Sequence, residues 1–187
     1  HGSWFFLGEI YINLPLPIDK KVDNHCGTCT SCMDVCPTKA IIAPYKLDAR
    51  KCISYLTIEL KSAIPKEYRK QIGNRVYGCD DCQLFCPWNK FGQTTKEDDF
   101  KVRHGLDDIE LVKCFLWTEA EFIKNMEGSA ILRIGYDQWL RNIAIGLGNA
   151  KTSEIIVNAL KNKYYEASAL VKEHISWALA QHNFHIN

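Results

Sequence analysis

The spacing of the cysteines constrains this chain more than any other feature of its sequence. Seven of the nine cysteines fall into two compact runs. The first run is Cys26, Cys29, Cys32 and Cys36 followed by Pro37, in the C-x2-C-x2-C-x3-C-P spacing that is typical of 4Fe-4S ligands. Because the match to that spacing is complete, the run predicts an iron–sulfur site.

The second run lacks its leading cysteine. It consists of Cys79, Cys82 and Cys86 followed by Pro87. Alignment on the Cys-Pro end places Val76 where a fourth cysteine is expected. A cluster needs four thiolates but does not need them contiguous, so the isolated Cys52 is the expected substitute.

The ligand count then closes at two 4Fe-4S clusters. In two-cluster ferredoxins the fourth cysteine of each run ligates the other cluster. By that rule the first cluster is held by Cys26, Cys29, Cys32 and Cys86. The second cluster is held by Cys36, Cys52, Cys79 and Cys82.

Two other uses of these cysteines stay open. Pairs of C-x2-C also supply tetrahedral zinc sites, although such sites need neither the third cysteine nor the Cys-Pro ending. A disulfide framework suits short secreted chains that are poor in core residues, whereas this chain is 47% hydrophobic. We expect Cys114, the ninth cysteine, to be a buried free thiol within the apolar stretch 112–117.

Bulk properties indicate a globular protein. The 187 residues, 11% of them aromatic, suffice for a packed core. The sequence contains no apolar run of about 18 residues, so it does not predict a membrane span. Clustered thiolates favour a cytoplasmic location, and the net charge of +1 gives no global attraction to nucleic acid. We interpret the local basic stretch formed by Lys66, Arg69, Lys70 and Arg75 as a solvated helix face.

We predict a mainly α protein with few strands (α+β). A ferredoxin-like domain with two 4Fe-4S clusters, residues 25–90, precedes a HEAT-like helical repeat domain, residues 106–187, and residues 91–105 connect them. Residues 4–14 predict a buried strand that leads into an extended segment. Since the chain opens with this apolar stretch and without methionine, we interpret it as a piece of a longer protein.

Helix signals support this division. Asp48 is expected to cap a helix over 51–63, which places Cys52 in a first turn whose amides favour an anionic cluster. A short basic helix is expected over 65–71. Thr118-x-x-Glu121 is a capping box before a helix that ends near Met126.

Three further helices are predicted over 136–148, 154–162 and 166–181. The first and the last align at an offset of 32 residues, with Ile143 over Ile175 and with small residues in register. This weak repeat predicts the HEAT-like arrangement. Ordinary helical packing is the alternative.

Several segments together resemble the epoxyqueuosine reductases. They are Gly2-Ser-Trp-Phe-Phe-Leu-Gly-Glu-Ile, His25-Cys-Gly-Thr-Cys-Thr-Ser-Cys-Met-Asp-Val-Cys-Pro-Thr-Lys-Ala-Ile, Leu47-Asp-Ala-Arg-Lys-Cys-Ile-Ser-Tyr-Leu-Thr-Ile-Glu59, Gly73-Asn-Arg-Val-Tyr-Gly-Cys-Asp-Asp-Cys-Gln-Leu-Phe-Cys-Pro-Trp-Asn89 and the helix from Arg133 to Asn149. The resemblance covers nearly the whole chain.

The resemblance implies an oxidoreductase that reduces epoxyqueuosine to queuosine in tRNA with cobalamin and two 4Fe-4S clusters. Residues 1–24 would be the tail end of a cobalamin-binding catalytic domain. The catalytic aspartate and most of the corrin pocket would then lie outside this chain, so the chain alone should lack activity. The partners implied are the tRNA anticodon arm and a soluble electron donor such as a flavodoxin or ferredoxin, and we expect a monomer without membrane contact.

Four polar residues beside cluster ligands are candidates for the surface that faces the corrin: Ser54, Tyr55, Asp80 and Asp81. Helix capping and turn formation are the alternative for all four. Arg133 and Arg141 are candidates for contacts with RNA phosphates. We expect His25 to be a solvated loop residue, with a hydrogen bond to a cluster sulfur as the alternative.

A function from another class competes with this one. The chain would then be a free-standing, ferredoxin-like electron carrier with a helical docking domain and no RNA partner. Such a carrier has no need of the segment from Trp4 to Ile10 that resembles the reductases.

Overall fold

The structure, a computed structural model, describes Trp4 and residues 7–186. Helices dominate this part of the chain, and its one sheet has two strands, so the predicted mainly α fold with few strands is confirmed. The helices are α1 (Ser31–Val35), α2 (Lys66–Ile72), α3 (Asp81–Leu84), α4 (Leu111–Leu116), α5 (Glu119–Met126), α6 (Tyr136–Asn149), α7 (Glu154–Glu166) and α8 (Ala169–Gln181). The strands are β1 (Ile41–Ala43) and β2 (Lys46–Leu47). Short 3-10 helices cover Ala49–Lys51, Pro87–Phe91, Asp98–Phe100 and Ala130–Ile134.

The cysteine-bearing half is built from short elements. Strands β1 and β2 form an antiparallel hairpin that pairs Ile41 with Leu47, and α1 packs on both β1 and α3. The predicted cap at Asp48 is present, although it caps a 3-10 helix, because its carboxylate accepts from the backbone N–H of Arg50. Short elements suit this half because the thiols come from the loops and ends between them.

The predicted helix over 51–63 is only partly right. A π-helical turn, Tyr55–Glu59, replaces most of it, and Cys52 lies ahead of this turn in extended conformation, with φ −68° and ψ 126°. The chain leaves helical geometry at Leu60, whose carbonyl accepts a hydrogen bond from buried Arg141. A donor from a distant helix thus satisfies the carbonyl that a continuing helix would have paired internally.

The helical half is organised around α6. This helix packs most extensively on α8 and also contacts α4 and α2, and its residues from Gln138 to Gly148 are all buried. The capping box of Thr118 and Glu121 is present, with both reciprocal hydrogen bonds formed. Helices α7 and α8 begin after Ser153 and Ser168, whose hydroxyls each accept from a backbone N–H of the first turn.

Small residues let α6 and α8 approach closely. A Cβ built on Gly148 would lie 2.8 Å from Cα of Ala178 and 2.7 Å from the ring of Trp177. The aligned residues Ile143 and Ile175 are both fully buried. Small residues of the two aligned helices therefore do pack against each other, while the HEAT-like assignment stays a prediction.

The first segment departs from its prediction. Residues 7–24 contain no strand, and Leu7, Ile10 and Tyr11 are each about 90% exposed. A strand needs a hydrogen-bonding neighbour, and no other strand of the described residues pairs with this segment. Phe5 and Phe6, which the prediction also covered, lie outside the described residues.

Two arginines are buried where the sequence analysis expected solvent. Arg69 is 1% exposed and pairs with Glu173 at 2.7 Å, with the ring of Trp177 against its guanidinium, so the basic stretch is not simply a solvated face. Arg141 is fully buried, so its predicted contact with RNA phosphate is wrong. In the part of the chain described here, no helix is long and apolar enough to cross a membrane.

Candidate metal centre

One cavity of about 590 Å³ gathers the thiols of the cysteine-bearing half. Its wall contains seven of the eight predicted ligands, which are Cys26, Cys32, Cys36, Cys52, Cys79, Cys82 and Cys86. The eighth, Cys29, is exposed and donates a hydrogen bond to the hydroxyl of Ser31. The fold therefore brings together cysteines from both runs and the isolated cysteine between them.

The thiols lie close enough to interact electrostatically. Cys32 interacts with Cys26 and Cys29 of its own run. Cys79 interacts with Cys36 of the other run, and Cys82 interacts with Cys79, Cys52 and Cys32. These interactions join the four cysteines of the second predicted cluster, and they also link Cys82 to the first run.

Local backbone structure determines where these thiols lie. Cys32 lies in α1 and Cys82 in α3, and these two helices pack on each other. Cys36 ends α1 in extended conformation, which turns the chain towards β1. Upstream of α1, Gly27 adopts a φ of +55°, a conformation that glycine reaches without steric cost, and the loop closes with the N–H of Cys29 on the carbonyl of Cys26.

The protein environment acts differently on the individual thiols. Burial tends to raise the pKa of Cys36, but the backbone N–H groups of Ala40 and Ile41 and the Thr38 side chain outweigh it and lower that pKa. The N–H of Ala40 lies 3.3 Å from Cys36 Sγ. These contacts therefore favour the thiolate of Cys36, which is the form that binds metal.

Cys79 and Cys82 show the opposite tendency. Burial raises the pKa of each thiol, and the nearby carboxylates of Asp81 and Asp80, respectively, raise it further. Neighbouring thiols add to the effect at Cys82. Grouped thiolates of this kind become favourable when cations compensate their charge, which is the usual coupling of metal binding to ligand deprotonation.

The donor set fits iron–sulfur clusters. Sulfur donors from both runs line a single cavity, and thiolates are the ligands that hold 4Fe-4S clusters. All nine cysteines are free thiols, so the disulfide alternative is not the arrangement adopted. Among the described residues, no three His, Cys, Asp or Glu side chains are grouped as the ligands of a single metal ion.

The four polar candidates differ in their surroundings. Ser54 and Asp81 make contacts that stabilise the fold. The Ser54 hydroxyl accepts from the N–H of Cys79 at 3.0 Å, and Asp81 pairs with Arg75 at 2.6 Å. Tyr55 and Asp80 are exposed. Ser54, Asp80 and Asp81 line the cysteine cavity.

Two remaining predictions concern His25 and Cys114. His25 is exposed and makes an edge-to-face contact with Trp88. Cys114 is buried in the helical core, and burial raises its pKa to about 11. The prediction of a buried free thiol at this position agrees with the structure.

Among the residues at the cavity that the sequence analysis missed is Tyr45. Its hydroxyl donates to Asn24 at 2.7 Å, and the same Asn24 oxygen accepts from the N–H of Cys26. Tyr45 lines the cavity although its side chain is largely exposed. No spacing rule points to it, because its link to Cys26 depends on the β1–β2 turn.

Comparison with known proteins agrees with the site. Residues 25–89 match a family model described as a 4Fe-4S double cluster binding domain. Epoxyqueuosine reductase from Xanthomonas campestris is 62% identical over 97% of this chain and 51% of its own length. The enzyme of the same name from Pseudomonas aeruginosa is 56% identical over 97% of this chain and 50% of its own length.

Solved structures give the same picture. A crystal structure of epoxyqueuosine reductase with an epoxyqueuosine-modified tRNA-Tyr stem loop superposes with a TM-score of 0.81 and 29% identity, over 90% of this chain and 45% of that one. The enzyme from Streptococcus thermophilus gives a TM-score of 0.78 at 29% identity, over 90% of this chain and 44% of that one. The chain spans about half the length of the curated relatives it matches.

Proposed function

We propose that this chain, which belongs to the epoxyqueuosine reductases over the half of their length that it spans, is the electron-transfer and tRNA-binding portion of such an enzyme. The whole reaction would be the reduction of epoxyqueuosine to queuosine in tRNA, with cobalamin as a further cofactor. A cytoplasmic location suits that reaction and the reduced thiols.

The cysteine cavity carries this proposal. Its wall combines cysteines from both runs with Cys52, and it lies inside the segment that matches a double-cluster domain. Two 4Fe-4S clusters, in which the fourth cysteine of each run ligates the other cluster, would use the seven thiols of this wall together with Cys29. When bound, such clusters pass one electron at a time.

The residues of the chain would support this role by shaping the shell around the thiols. Backbone N–H groups aimed at Cys36 stabilise its thiolate, and hydrogen bonds of this kind also tune the potential of a cluster. Of the four candidates for the surface facing the corrin, exposed Tyr55 and Asp80 suit a contact with a cofactor held elsewhere. Ser54 and Asp81 instead hold the Cys79 loop in shape.

Reductase activity itself would need more than this chain. The resemblance puts the catalytic aspartate and most of the corrin pocket outside residues 1–187, so we expect no turnover by this chain alone. Electrons would arrive from a soluble donor such as a flavodoxin or ferredoxin, and the chain would act as a monomer.

RNA binding is the second half of the proposal. A relative of the same fold has been solved with a tRNA stem loop. In this chain the exposed guanidinium of Arg133, now paired with Glu59 at 2.6 Å, is a candidate for a phosphate contact. Buried Arg141 is not available for one.

Fluorescence anisotropy with a labelled tRNA anticodon stem loop tests this half. We expect weak binding at about 50 mM salt that falls steeply towards about 200 mM, because neutralised phosphates supply most of such affinity. Nucleoside analysis after incubation with cobalamin, a reductant and epoxyqueuosine-containing tRNA should show no queuosine. Turnover by the chain alone would refute the proposed location of catalysis, and a lack of RNA binding at low salt would favour the free-standing electron carrier.

A further inference from the structure

We propose that helix α6 positions the ligands of the second cluster. Its residue Asn142, together with Thr57, forms a buried polar junction that fixes the Cys52 segment against the Cys79 loop. This inference rests on the proposed function, in which Cys52 and Cys79 bind the same cluster. It assigns to the helical half a task in the cysteine-bearing half.

The Thr57 hydroxyl is the most direct link in this junction. It donates to the carbonyl of Ile53 at 2.8 Å and accepts from the N–H of Gly78 at 3.0 Å. Ile53 directly follows Cys52, and Gly78 directly precedes Cys79. One buried hydroxyl therefore joins the backbone neighbours of two ligands that are 27 positions apart in the sequence.

Asn142 holds the same two segments from the side of α6. Its amide nitrogen donates to the carbonyls of Thr57 and Val76, each at 2.8 Å. Its amide oxygen accepts from the guanidinium of Arg141 at 2.9 and 3.0 Å, which fixes the orientation of the amide, because only an oxygen can face those donors. Asn142 and Thr57 are both fully buried.

Further contacts tie the junction to the ligands. The Ser54 hydroxyl accepts from the N–H of Cys79 itself, and Arg141 donates to the carbonyl of Leu56 at 2.9 Å. A fully satisfied buried network of this kind is rigid, since any displacement leaves a polar group unpaired. The spacing between Cys52 and Cys79 is therefore set by this network.

The first cluster should be less sensitive to this network. Three of its predicted ligands come from α1 and the loop before it, and α1 packs on β1 and α3. Hydrogen bonding and geometry around the thiolates tune the potential and the retention of a cluster. A change at Thr57 is therefore expected to alter the second cluster selectively.

Two substitutions at one position separate positioning from packing. Thr57→Val keeps the side-chain shape but removes the hydroxyl, and Thr57→Ser keeps the hydroxyl but removes a methyl group. If Thr57 served only to fill space, Ser would be the more harmful replacement, since it leaves a cavity. If the hydroxyl positions the ligands, Val is the more harmful one.

The measurement is a redox titration of the anaerobically purified, cluster-loaded chain, combined with iron analysis. We expect Thr57→Val to shift one of the two midpoint potentials, or to lose half of the iron, while Thr57→Ser retains both native potentials. The Cys52→Ala variant identifies which step belongs to the second cluster. Val157→Ala, a core change in α7, controls for general destabilisation and should leave both potentials native.

The outcomes distinguish this inference from the function on which it rests. A native chain that holds no cluster overturns the proposed function, and this inference with it. A native chain with two clusters overturns this inference alone if Thr57→Val leaves both potentials and the iron content native. The same holds if Thr57→Ser or Val157→Ala reproduces the change that Thr57→Val causes.

Discussion

Replacing Arg141 with methionine tests whether this arginine stabilises the fold or contacts RNA. Its guanidinium donates to the carbonyls of Leu56, Leu60 and Ser62 at 2.9, 2.6 and 2.8 Å. The side chain is fully buried, and burial lowers its pKa to about 10. Arg141→Met keeps much of the side-chain length and removes every donor.

The expected change in the free energy of unfolding follows from two opposing contributions. Three hydrogen bonds from a charged donor contribute roughly 1.5–3 kcal/mol each, or about 4–9 kcal/mol together. Removing the buried charge recovers the cost of its desolvation, about 3 kcal/mol for a pKa that burial lowers to about 10. The net loss is therefore about 1–6 kcal/mol.

Arg133→Met is the matched control, because Arg133 is exposed and its ion pair with Glu59 is about half exposed on both sides. An exposed pair of this kind contributes little to stability. Denaturant unfolding followed by far-UV circular dichroism under anaerobic conditions measures both variants. Arg141→Met should lower the midpoint markedly and Arg133→Met only slightly.

RNA affinity should show the reverse order. In the anisotropy assay, Arg133→Met should weaken binding of the stem loop and reduce the salt dependence, while the folded fraction of Arg141→Met binds as the native chain does. Native-like stability of Arg141→Met would refute the reasoning from buried hydrogen bonds. A specific loss of RNA binding in a stable Arg141→Met variant would refute its assignment to the fold.

Three further predictions concern other parts of the chain. Gly148→Ala should destabilise the fold by about 1–2 kcal/mol in denaturant unfolding, because the new Cβ meets the backbone of α8 and overpacking of roughly 1–3 kcal/mol exceeds the gain in helix propensity. Gly146→Ala is the control and should be about neutral, since its Cβ meets only the end of a flexible leucine side chain. Equal effects of the two substitutions would contradict the packing argument. Burial lowers the pKa of His174 to about 4, so on acidification the unfolded chain takes up a proton at this histidine that the folded chain does not. The free energy of unfolding should therefore fall by about 1 kcal/mol as the pH is lowered from 7.5 to 5.5. A flat pH profile, or an equal fall in His174→Gln, would contradict this. Cys52→Ala should lose or convert one cluster, while Cys114→Ala keeps the native iron content, and the opposite pattern would show that the ligand assignment is wrong.

Features encoded by local sequence were predictable. The capping box at Thr118 needs only two residues three positions apart, and it is present. The two cysteine runs likewise carry their geometry in their spacing, and six of their seven cysteines line one cavity. The substitution of Cys52 for the missing ligand was inferred from the count alone, and it stays a prediction, with Cys52 in the wall of the same cavity as Cys82.

Features that depend on distant partners were not predictable. Arg69 and Arg141 read as surface residues in the sequence, but the groups that satisfy them lie on elements far along the chain, at Glu173 and at the carbonyl of Leu56. The helix expected over 51–63 is shortened for the same reason, because Arg141 takes the carbonyls that would have extended it. Only the tertiary structure reveals such pairings.

The count of iron and acid-labile sulfide in the anaerobically purified chain tests the central claim most directly. Eight cysteines arranged as two ligand sets predict about eight iron and about eight sulfide per chain, with a brown colour and broad absorption near about 400 nm. A content of about four iron would contradict the two-cluster assignment. Stoichiometric zinc in place of iron would contradict the electron-transfer function itself.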